Sequence, residues 1–423
     1  MQPGMSSAGP RYHPACAAWT GPGMGPTVGV HSSMLPTRLC HLPEARARFG
    51  DRVDRLAAFF GRVDPLADDV VAAIEGTPGG WHLFDEAARR GVDRVAGAPA
   101  AFRALFDQVE HVPMWVDWDT VDRGGGVLLR AGPLGGLVLA LKSLVLGYTS
   151  PAGNKPLVFS GRLQEQAPRR LNETARFVQA TITPGGMRPR GEGWQITLKV
   201  RLIHAHVRRM ILASGRWDAA AWGAPINQHD QAGTSLLFSV IVLEGLRQLG
   251  MRIPRAEAEA YVHLWRWSGW LMGVDPELLP ATEAEGGRLG EVIAATMGEP
   301  DEDSQRLTRA LLDAPLRTAK TRQEMANAKR VVRFSAAMCR TLLGGEMADK
   351  LAVPRTPWRY MVPFVRRLVS SVELVRENVP FGDVPAVWAG TRYWDRVVEI
   401  GLAGAMAEFG LPQSLARERV IAA

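Results

Sequence analysis

The chain has 423 residues, of which 46% are hydrophobic, so it is long enough to bury a large core. Its net charge of +7 suggests a nucleic-acid or membrane-surface partner, but the arginines are interleaved with acidic residues rather than clustered, so we expect no nucleic-acid binding. Three cysteines without paired spacing exclude a disulfide scaffold and favour a reducing compartment.

The N-terminal segment, residues 1–43, is rich in Gly and Pro and lacks apolar periodicity, so we predict that it is disordered. It contains no apolar run of the secretory type, and we expect a cytoplasmic protein. The longest apolar stretch, residues 132–147, is too short to span a bilayer and contains Lys142. We therefore predict a buried helix there and no transmembrane segment.

Residues 44–423 show helical periodicity almost throughout and nearly no strand-like alternation. This pattern predicts one large all-α domain. The predicted helices, in chain order, are Arg48–Arg62, Pro65–Glu75, Trp81–Gly91, Pro99–Val109, Pro133–Leu146, Arg169–Thr181, Gln195–Ala213, Thr234–Leu249, Arg255–Met272, Glu285–Met297, Asp301–Leu312, Gln323–Leu343, Trp358–Leu374 and Thr391–Phe409.

Arg169–Thr181 contains a polar triplet: Arg170, Glu173 and Thr174 share one helix face among apolar neighbours. A salt-bridged helix start explains this pattern structurally. The functional interpretation is a catalytic polar wall, in which Arg170 and Thr174 steer a diatomic or oxidised substrate and Glu173 handles protons. A carboxylate in such a pocket must pair with a cation or be protonated.

Gln195–Ala213 contains a single imidazole, His204, between Arg201 and Arg208 on one helix face. An iron porphyrin needs one axial nitrogen ligand and cations for its two propionates, so His204 is a candidate iron ligand and the arginines are candidate propionate partners. A core histidine beside surface arginines is the structural alternative. His206 points away from His204 on a helix, which disfavours chelation of one metal by this pair.

Further along the chain, Asn227, Gln228, His229 and Asp230 follow Pro225 and predict a turn rich in hydrogen-bonding side chains. The aromatic run that follows is typical of a core but would also suit the walls of a flat cofactor; it comprises Tyr261, Trp265, Trp267 and Trp270. Phosphate-loop, zinc-helix and nucleophile-elbow motifs are absent from the sequence, and the glycines 124–126 follow no predicted strand.

Taken together, these segments resemble the family of rubber oxygenases (latex-clearing proteins) and MpaB-type oxygenases. The resemblance covers roughly residues 112–280. It rests on five segments in this order: Ser160-Gly-Arg-Leu163, Arg170-Leu-Asn-Glu-Thr174, Val200-Arg-Leu-Ile-His-Ala205, Trp222-Gly-Ala-Pro-Ile-Asn-Gln228 and Leu271-Met-Gly-Val-Asp-Pro276.

The resemblance implies a globin-like helical core that holds haem b, with extra helices at both ends. It implies His204 as the proximal iron ligand, Arg201 and Arg208 at the haem edge, and Arg170 and Thr174 in the distal pocket. Rubber-cleaving members place a lysine just before the threonine, where this chain has Glu173. This difference, with the absent secretion signal, favours a small unsaturated substrate over rubber.

Three hypotheses follow. The first is a haem b-dependent oxygenase that uses dioxygen to oxidise or cleave a C=C bond of an isoprenoid or another unsaturated, lipid-like small molecule, with an electron donor as a further candidate partner. The second is a non-catalytic haem- or gas-binding protein. The third is a basic module that binds nucleic acid or a membrane surface.

Overall fold

The computed structural model describes residues 35–160, 167–401 and 409–411; for residues 160 and 167–170 it describes the backbone alone. The described residues form helices and contain no strand. The predicted all-α class is confirmed, whereas the globin-like arrangement stays a prediction. Of the family segments, residues 161–163 lie outside the described residues, as does the side chain of Arg170.

Ten α-helices occupy the N-terminal half. They are α1 (Leu42–Phe49), α2 (Arg52–Ala57), α3 (Pro65–Glu75), α4 (Gly80–Arg90), α5 (Ala100–Glu110), α6 (Trp118–Ala131), α7 (Pro133–Gly147), α8 (Pro151–Ser160), α9 (Ala167–Ile182) and α10 (Glu192–Ala213). Short 3-10 helices follow α2 at Ala58–Gly61 and α4 at Val92–Arg94.

Eleven further α-helices complete the described chain. They are α11 (Ala219–Trp222), α12 (Gln228–Phe238), α13 (Val240–Gln248), α14 (Arg255–Leu271), α15 (Glu283–Ala295), α16 (Glu302–Leu312), α17 (Ala314–Thr318), α18 (Arg322–Leu343), α19 (Gly345–Lys350), α20 (Val362–Asn378) and α21 (Asp383–Gly401). The 3-10 helices here are Pro276–Leu278 and Pro357–Met361.

The helix that we predicted at Thr234–Leu249 is two helices in the structure. Ser239 separates α12 from α13 with φ −106° and ψ −95°, outside the helical region. Asn227 caps the start of α12 by accepting a hydrogen bond from the backbone N–H of Asp230 at 2.9 Å. The polar turn predicted around Asn227 is therefore a helix start.

The glycines 124–126 lie inside a helix, α6, that the sequence analysis did not predict. A Cβ on Gly124 would come within 2.3 Å of the Ala260 carbonyl oxygen, and one on Gly125 within 2.2 Å of the Ile182 carbonyl oxygen. These glycines let α6 pack directly on the backbones of α14 and α9. Tertiary contact thus overrides the low helix propensity of glycine.

We expect Gly125→Ala to lower the free energy of unfolding by about 1–3 kcal/mol, because a methyl group there forces α6 away from α9. Gly126→Ala is the matched control. It has no atom within 4 Å of the added Cβ and should raise stability by about 0.5–1 kcal/mol. Urea unfolding followed by circular dichroism measures both, and equal effects would contradict the proposed close packing.

The apolar stretch 132–147 forms α7, which contains a π-helical turn at Leu139–Ser143. Lys142 is buried within it, and its Nζ donates to Glu244 at 2.9 Å, Gln248 at 2.9 Å and the Leu342 carbonyl at 3.1 Å. Among the described helices, none alone is long and apolar enough to cross a membrane. The pair α6 and α7 meets these criteria together but is bent by 88°.

The packed part of the chain begins before the boundary predicted at residue 43. Thr37 and Arg38 donate backbone hydrogen bonds to the carbonyls of Ala220 and Ala221, and Cys40 donates to Thr296. These contacts hold residues 37–40 against the rest of the protein. Apolar periodicity does not mark this segment, because it is held by backbone hydrogen bonds and by Arg38 and not by an apolar stripe.

One large hydrophobic cluster contains buried residues from Ala67 in α3 to Trp394 in α21. A smaller cluster joins α1 and α2 to the region around Val274 and Val292. Trp194, Trp267 and Trp394 are among the largest fully buried side chains. The helices that carry the candidate site residues, α9 and α10, both contribute to the large cluster, which fixes their positions.

Candidate functional site

The candidate site lies on the α9–α10 pair. The two helices pack together and are joined by the short connection 183–191, so they run antiparallel. Arg170 precedes the end of α9 by 12 residues, and His204 follows the start of α10 by 12 residues. At about 1.5 Å per residue, both backbones lie about 18 Å from the connection and therefore at a similar level.

His204 lies in the middle of α10 and is half-buried, with its Nδ1 atom shielded from solvent. His206 points elsewhere, as helical geometry predicts: its Nδ1 lies 3.0 Å from Oε1 of Glu75 on α3. The two imidazoles therefore have different surroundings. His204 stays the candidate iron ligand of the pair, on the same face of α10 as Arg201 and Arg208.

Arg201 is 2% exposed and forms a buried ion pair with Asp64, the residue that caps α3. Its Nε donates to Oδ2 of Asp64 at 2.6 Å and its Nη2 to Oδ1 at 2.9 Å. The remaining nitrogen, Nη1, donates to Gln108 at 3.0 Å and to the Leu271 carbonyl at 3.2 Å. All three guanidinium nitrogens are thus already bound within the protein.

Arg208, also 2% exposed, is held in the same way one turn further along α3. Its Nε and Nη2 donate to Oδ1 of Asp68 at 3.0 and 2.7 Å, and its Nη1 donates to the Ile226 carbonyl at 3.2 Å. Burial raises the pKa of Asp68, and the neighbouring Arg208 charge opposes that rise.

These pairs correct the expectation that Arg201 and Arg208 are available to two propionates. The helical wheel placed both side chains on the correct face, but that face meets α3 and its two aspartates. Breaking the Arg201 pair for a propionate would strand the buried Asp64 carboxylate, and breaking the Arg208 pair would strand the half-buried Asp68 carboxylate. The geometry favours a structural role for both arginines, which fasten α10 to α3.

The pairs Arg201–Asp64 and Arg208–Asp68 form a frame that holds α10 in place, and two other family segments add Gln228 and Gly273 to it. Gln228 donates from Nε2 to the Gly273 carbonyl at 2.9 Å and accepts from the Asp275 N–H at 2.8 Å. Gly273 has φ +81°, and a Cβ there would lie 2.4 Å from Oδ2 of Asp64 and 2.6 Å from Nε of Arg201. Only glycine leaves room for the Arg201–Asp64 pair at this turn.

On the α9 side, Glu173 and Thr174 are half-buried, and the side chain of Arg170 lies outside the described residues. Phe177, one turn further, is buried against two aromatic rings, with centroids 6.0 Å from both Phe238 and Trp265. Phe238 stacks on Trp265 at 5.1 Å. Glu173 and Thr174 therefore lie one turn before an aromatic wall that joins α9, α12 and α14.

A cavity of about 560 Å³ opens between α7, α8, α12 and α15. Its apolar part is lined by residues such as Leu146, Leu237, Ile241 and Ile293. Its polar part is lined by Arg38, Ser150, His229 and Asp230. A volume of this size suits one small molecule, and the lining is mainly apolar with a few polar groups, as in ligand sites generally.

The polar part of the cavity is built on a half-buried carboxylate, Asp230. Arg38 donates to both of its oxygens at 2.8 and 2.9 Å and to Ser150 Oγ at 3.1 Å. Burial alone would raise the pKa of Asp230, but the Arg38 charge and the hydrogen bonds from His229 and Arg38 hold it well below its ordinary value. Asp230 is therefore ionised at neutral pH.

His229 adds an unused hydrogen-bonding atom to this part of the cavity. Its ring stacks on Phe60 at a centroid distance of 4.0 Å, and its Nδ1 lies 3.4 Å from Oδ1 of Asp230. Burial lowers its pKa despite the nearby carboxylate, so the ring is neutral and its Nδ1–H faces Asp230. Its buried Nε2 has no hydrogen-bond partner among the described residues and is left as an acceptor.

The sequence analysis missed Asp64, Asp68 and Arg38. Asp64 and Asp68 are one turn apart on a helix, a spacing that matches two cations on a facing helix and could have indicated an interhelical pair. Arg38 lies in the segment that we expected to be disordered. No local pattern indicates that it reaches Asp230, 192 residues away in sequence.

His204 would suit a haem b as the residue that binds the iron. Arg201 and Arg208, which were expected to bind the propionates, are already paired with aspartates. Among the described residues, no three His, Cys, Asp or Glu side chains are grouped to hold a metal ion. A metal at His204 would therefore have to bring further ligands with it, as the four nitrogens of a porphyrin do. The half-buried imidazole suits this, whereas Arg201 and Arg208 are already paired.

Comparisons with known proteins agree with this description. Residues 118–373 match the family described as ER-bound oxygenase mpaB/B'/Rubber oxygenase, catalytic domain. The chain is 27% identical to the rubber oxygenase of Streptomyces sp. (strain K30) over 337 residues, which cover 77% of this chain and 78% of the relative.

A solved structure of latex clearing protein LCP in the closed state is similar in fold, with a TM-score of 0.56 and 23% sequence identity over 80% of this chain and 90% of that one. Its fold is helical, as is the fold described here. The matched residues 118–373 include Arg201, Arg208, Gln228 and Gly273 of the frame around α10, whereas Asp64 and Asp68 precede them. The chain therefore belongs to the MpaB and rubber oxygenase family and is an oxygenase.

Proposed function

We propose that this oxygenase depends on haem b, bound through His204, and uses dioxygen to oxidise or cleave a C=C bond of a small isoprenoid or other unsaturated, lipid-like molecule. The observation that carries the proposal is the position of His204 on α10, half-buried and at the level of the polar residues of α9. The sequence similarity to a rubber oxygenase supports an oxygenase reaction on an unsaturated substrate, and the cofactor is what the family resemblance implies.

In this proposal the haem supplies the redox chemistry of dioxygen, and the protein supplies ligation, positioning and proton transfer. His204 binds the metal through its ring nitrogen. Thr174 offers a hydroxyl donor, and the Glu173 carboxylate holds or moves a proton at its Oε atoms. Phe177 and its aromatic neighbours exclude water from this side of α9. Arg170 completes the proposed catalytic set.

A small substrate is favoured over a polymer by Glu173, which replaces the lysine of rubber-cleaving relatives and so reverses the charge beside Thr174. The cavity between α7 and α15 has room for one small molecule, but it is lined by none of the residues proposed here for catalysis or iron binding, so it carries no argument about the substrate. We also propose that the protein takes electrons from a donor and that it is located in the cytoplasm.

The cofactor is tested by His204→Ala, which should lose the Soret absorbance of the purified protein because the axial ligand is gone. His206→Ala is the matched control on the same helix. Its ring lies against Glu75, so this variant should retain stoichiometric haem. Loss of haem from His206→Ala alone would reassign the iron ligand.

Turnover separates the oxygenase from a non-catalytic haem protein of the same fold. Oxygen consumption and the conversion of alkenes to carbonyl products should be measured on a panel of short isoprenoids under air and under nitrogen. We expect air-dependent loss of at least one alkene. A haem-loaded protein that consumes oxygen with none of them would favour gas binding instead.

A further inference from the structure

The C-terminal helices α20 and α21 expose an apolar face that the oxygenase site does not use. On α20, Phe364, Leu368, Val372 and Val375 repeat at helical spacing, and all four are more than half exposed. The turn that follows adds Phe381, which is 85% exposed, and α21 begins with the exposed Val384 and Trp388. Most exposed large hydrophobic side chains of the described residues lie in this region, the C-terminal apolar face.

Arginines accompany this face without carboxylate partners. The structure describes five exposed ones near it, none of which forms an ion pair with a described residue: Arg359, Arg366, Arg367, Arg392 and Arg396. Three nearby carboxylates are already paired: Glu373 and Asp383 bind Arg376, and Glu377 binds Arg252 at 2.7 Å. On α21 the exposed Asp395 and Glu399 lie one turn from Arg392 and Arg396. The uncompensated positive charge of the face therefore lies on Arg359, Arg366 and Arg367.

We propose that the C-terminal apolar face docks the protein on the surface of a membrane that contains anionic lipids. An exposed apolar helix face with arginines around it is the pattern of a helix that lies in the lipid interface. The unpaired arginines are complementary to anionic head groups and favour these over zwitterionic ones. A second copy of this chain would bring the same unpaired arginines together across a two-fold axis, which opposes self-association.

Docking requires no spanning helix, in keeping with the absence of one that is long and apolar enough among the described residues. Glu373 lies on the buried side of α20. It accepts hydrogen bonds from Arg130 at 3.4 Å and from the Arg252 N–H at 3.0 Å, so this side of the helix is held against the protein. The outer side is left for the lipid. The inference does not depend on haem, on His204 or on the substrate.

Cosedimentation of the full chain with vesicles tests the proposal. We expect binding to vesicles of mixed phosphatidylcholine and phosphatidylglycerol and much weaker binding to phosphatidylcholine alone. Phe381→Ser should weaken binding about tenfold or more, because a fully exposed aromatic ring no longer enters the interface. Arg367→Gln should weaken it about fivefold on anionic vesicles.

Two exposed residues elsewhere serve as matched controls: Met114→Ser for the apolar change and Arg94→Gln for the charge change, both of which should bind as the unmodified protein does. Equal binding to both vesicle types, no binding to either, or equal effects of test and control variants would overturn the proposal. So would a lipid-free dimer, seen in sedimentation, that Phe381→Ser dissociates, because the face would then join two copies of the chain.

Discussion

Arg201→Ala should lower the free energy of unfolding by about 3–5 kcal/mol, the effect of removing one partner of a buried ion pair. Asp64 would be left as a buried carboxylate without its bidentate partner, and Gln108 and the Leu271 carbonyl would each lose a donor. The contacts between α3, α10 and the end of α14 would weaken together. Urea unfolding followed by far-UV circular dichroism measures the loss.

Arg209→Ala is the matched control, about two turns along the same helix pair. Arg209 is exposed and binds Glu75 at 3.0 Å, and a surface pair of this kind contributes about 0–1 kcal/mol. The double variant Arg201→Met with Asp64→Asn should recover most of the loss, since no buried charge remains and asparagine keeps the cap of α3. If Arg201→Ala kept the stability of the Arg209→Ala control but lost haem, the guanidinium would serve the cofactor instead.

The buried pairs change the meaning of the Arg-His-Arg pattern on α10. The arginines flank His204 in sequence, yet each is bound to an aspartate of α3. They fix the rotation and height of α10, and this determines where His204 is presented. Gly273 and Gln228 belong to the same frame. Gly273 leaves room for the Arg201–Asp64 pair, and Gln228 donates a hydrogen bond to the Gly273 carbonyl. Four of the five family segments contribute residues to this frame or to the facing helix α9.

The helices with strong apolar periodicity could be predicted from sequence to within a few residues, as for α14, predicted at Arg255–Met272 and observed at Arg255–Leu271. Periodicity reports burial of one face, and that is a local property. Helix α6 escaped prediction because its glycines are set by contact with Ala260 and Ile182, which are distant in sequence. Propensity carries no information about such a contact.

For the site, the sequence predicts His204 and the α9 triplet but not what surrounds them. A helical wheel gives the direction of a side chain and not the partner it meets, so it could not distinguish Asp64 from a propionate as the partner of Arg201. The His229–Asp230–Arg38 group was not predicted as a unit either. Two of its members are adjacent in α12, while the third comes from the N-terminal segment, which carries no periodic signal.

Glu173→Gln should leave the fold and haem content intact and lower oxygen-dependent turnover by about 10²–10⁴-fold. Glutamine keeps the size of the side chain and its ability to hydrogen-bond but cannot take up or release a proton in the way a carboxylate does. Glu173 is half-buried on α9, beside Thr174 and one turn from the buried Phe177. In our proposal it is the group on that side that moves a proton.

Glu192→Gln is the matched control, because Glu192 binds Arg176 at the exposed start of α10, away from the level of His204. Both variants should show the same Soret absorbance and the same unfolding midpoint, and only Glu173→Gln should slow the air-dependent loss of an alkene. If the lost charge affected only stability, the unfolding midpoint would change and turnover per haem would stay the same. Full activity of Glu173→Gln would assign Glu173 a structural role at the start of α9 and transfer proton handling to another residue, since the chemistry would then proceed without its carboxylate.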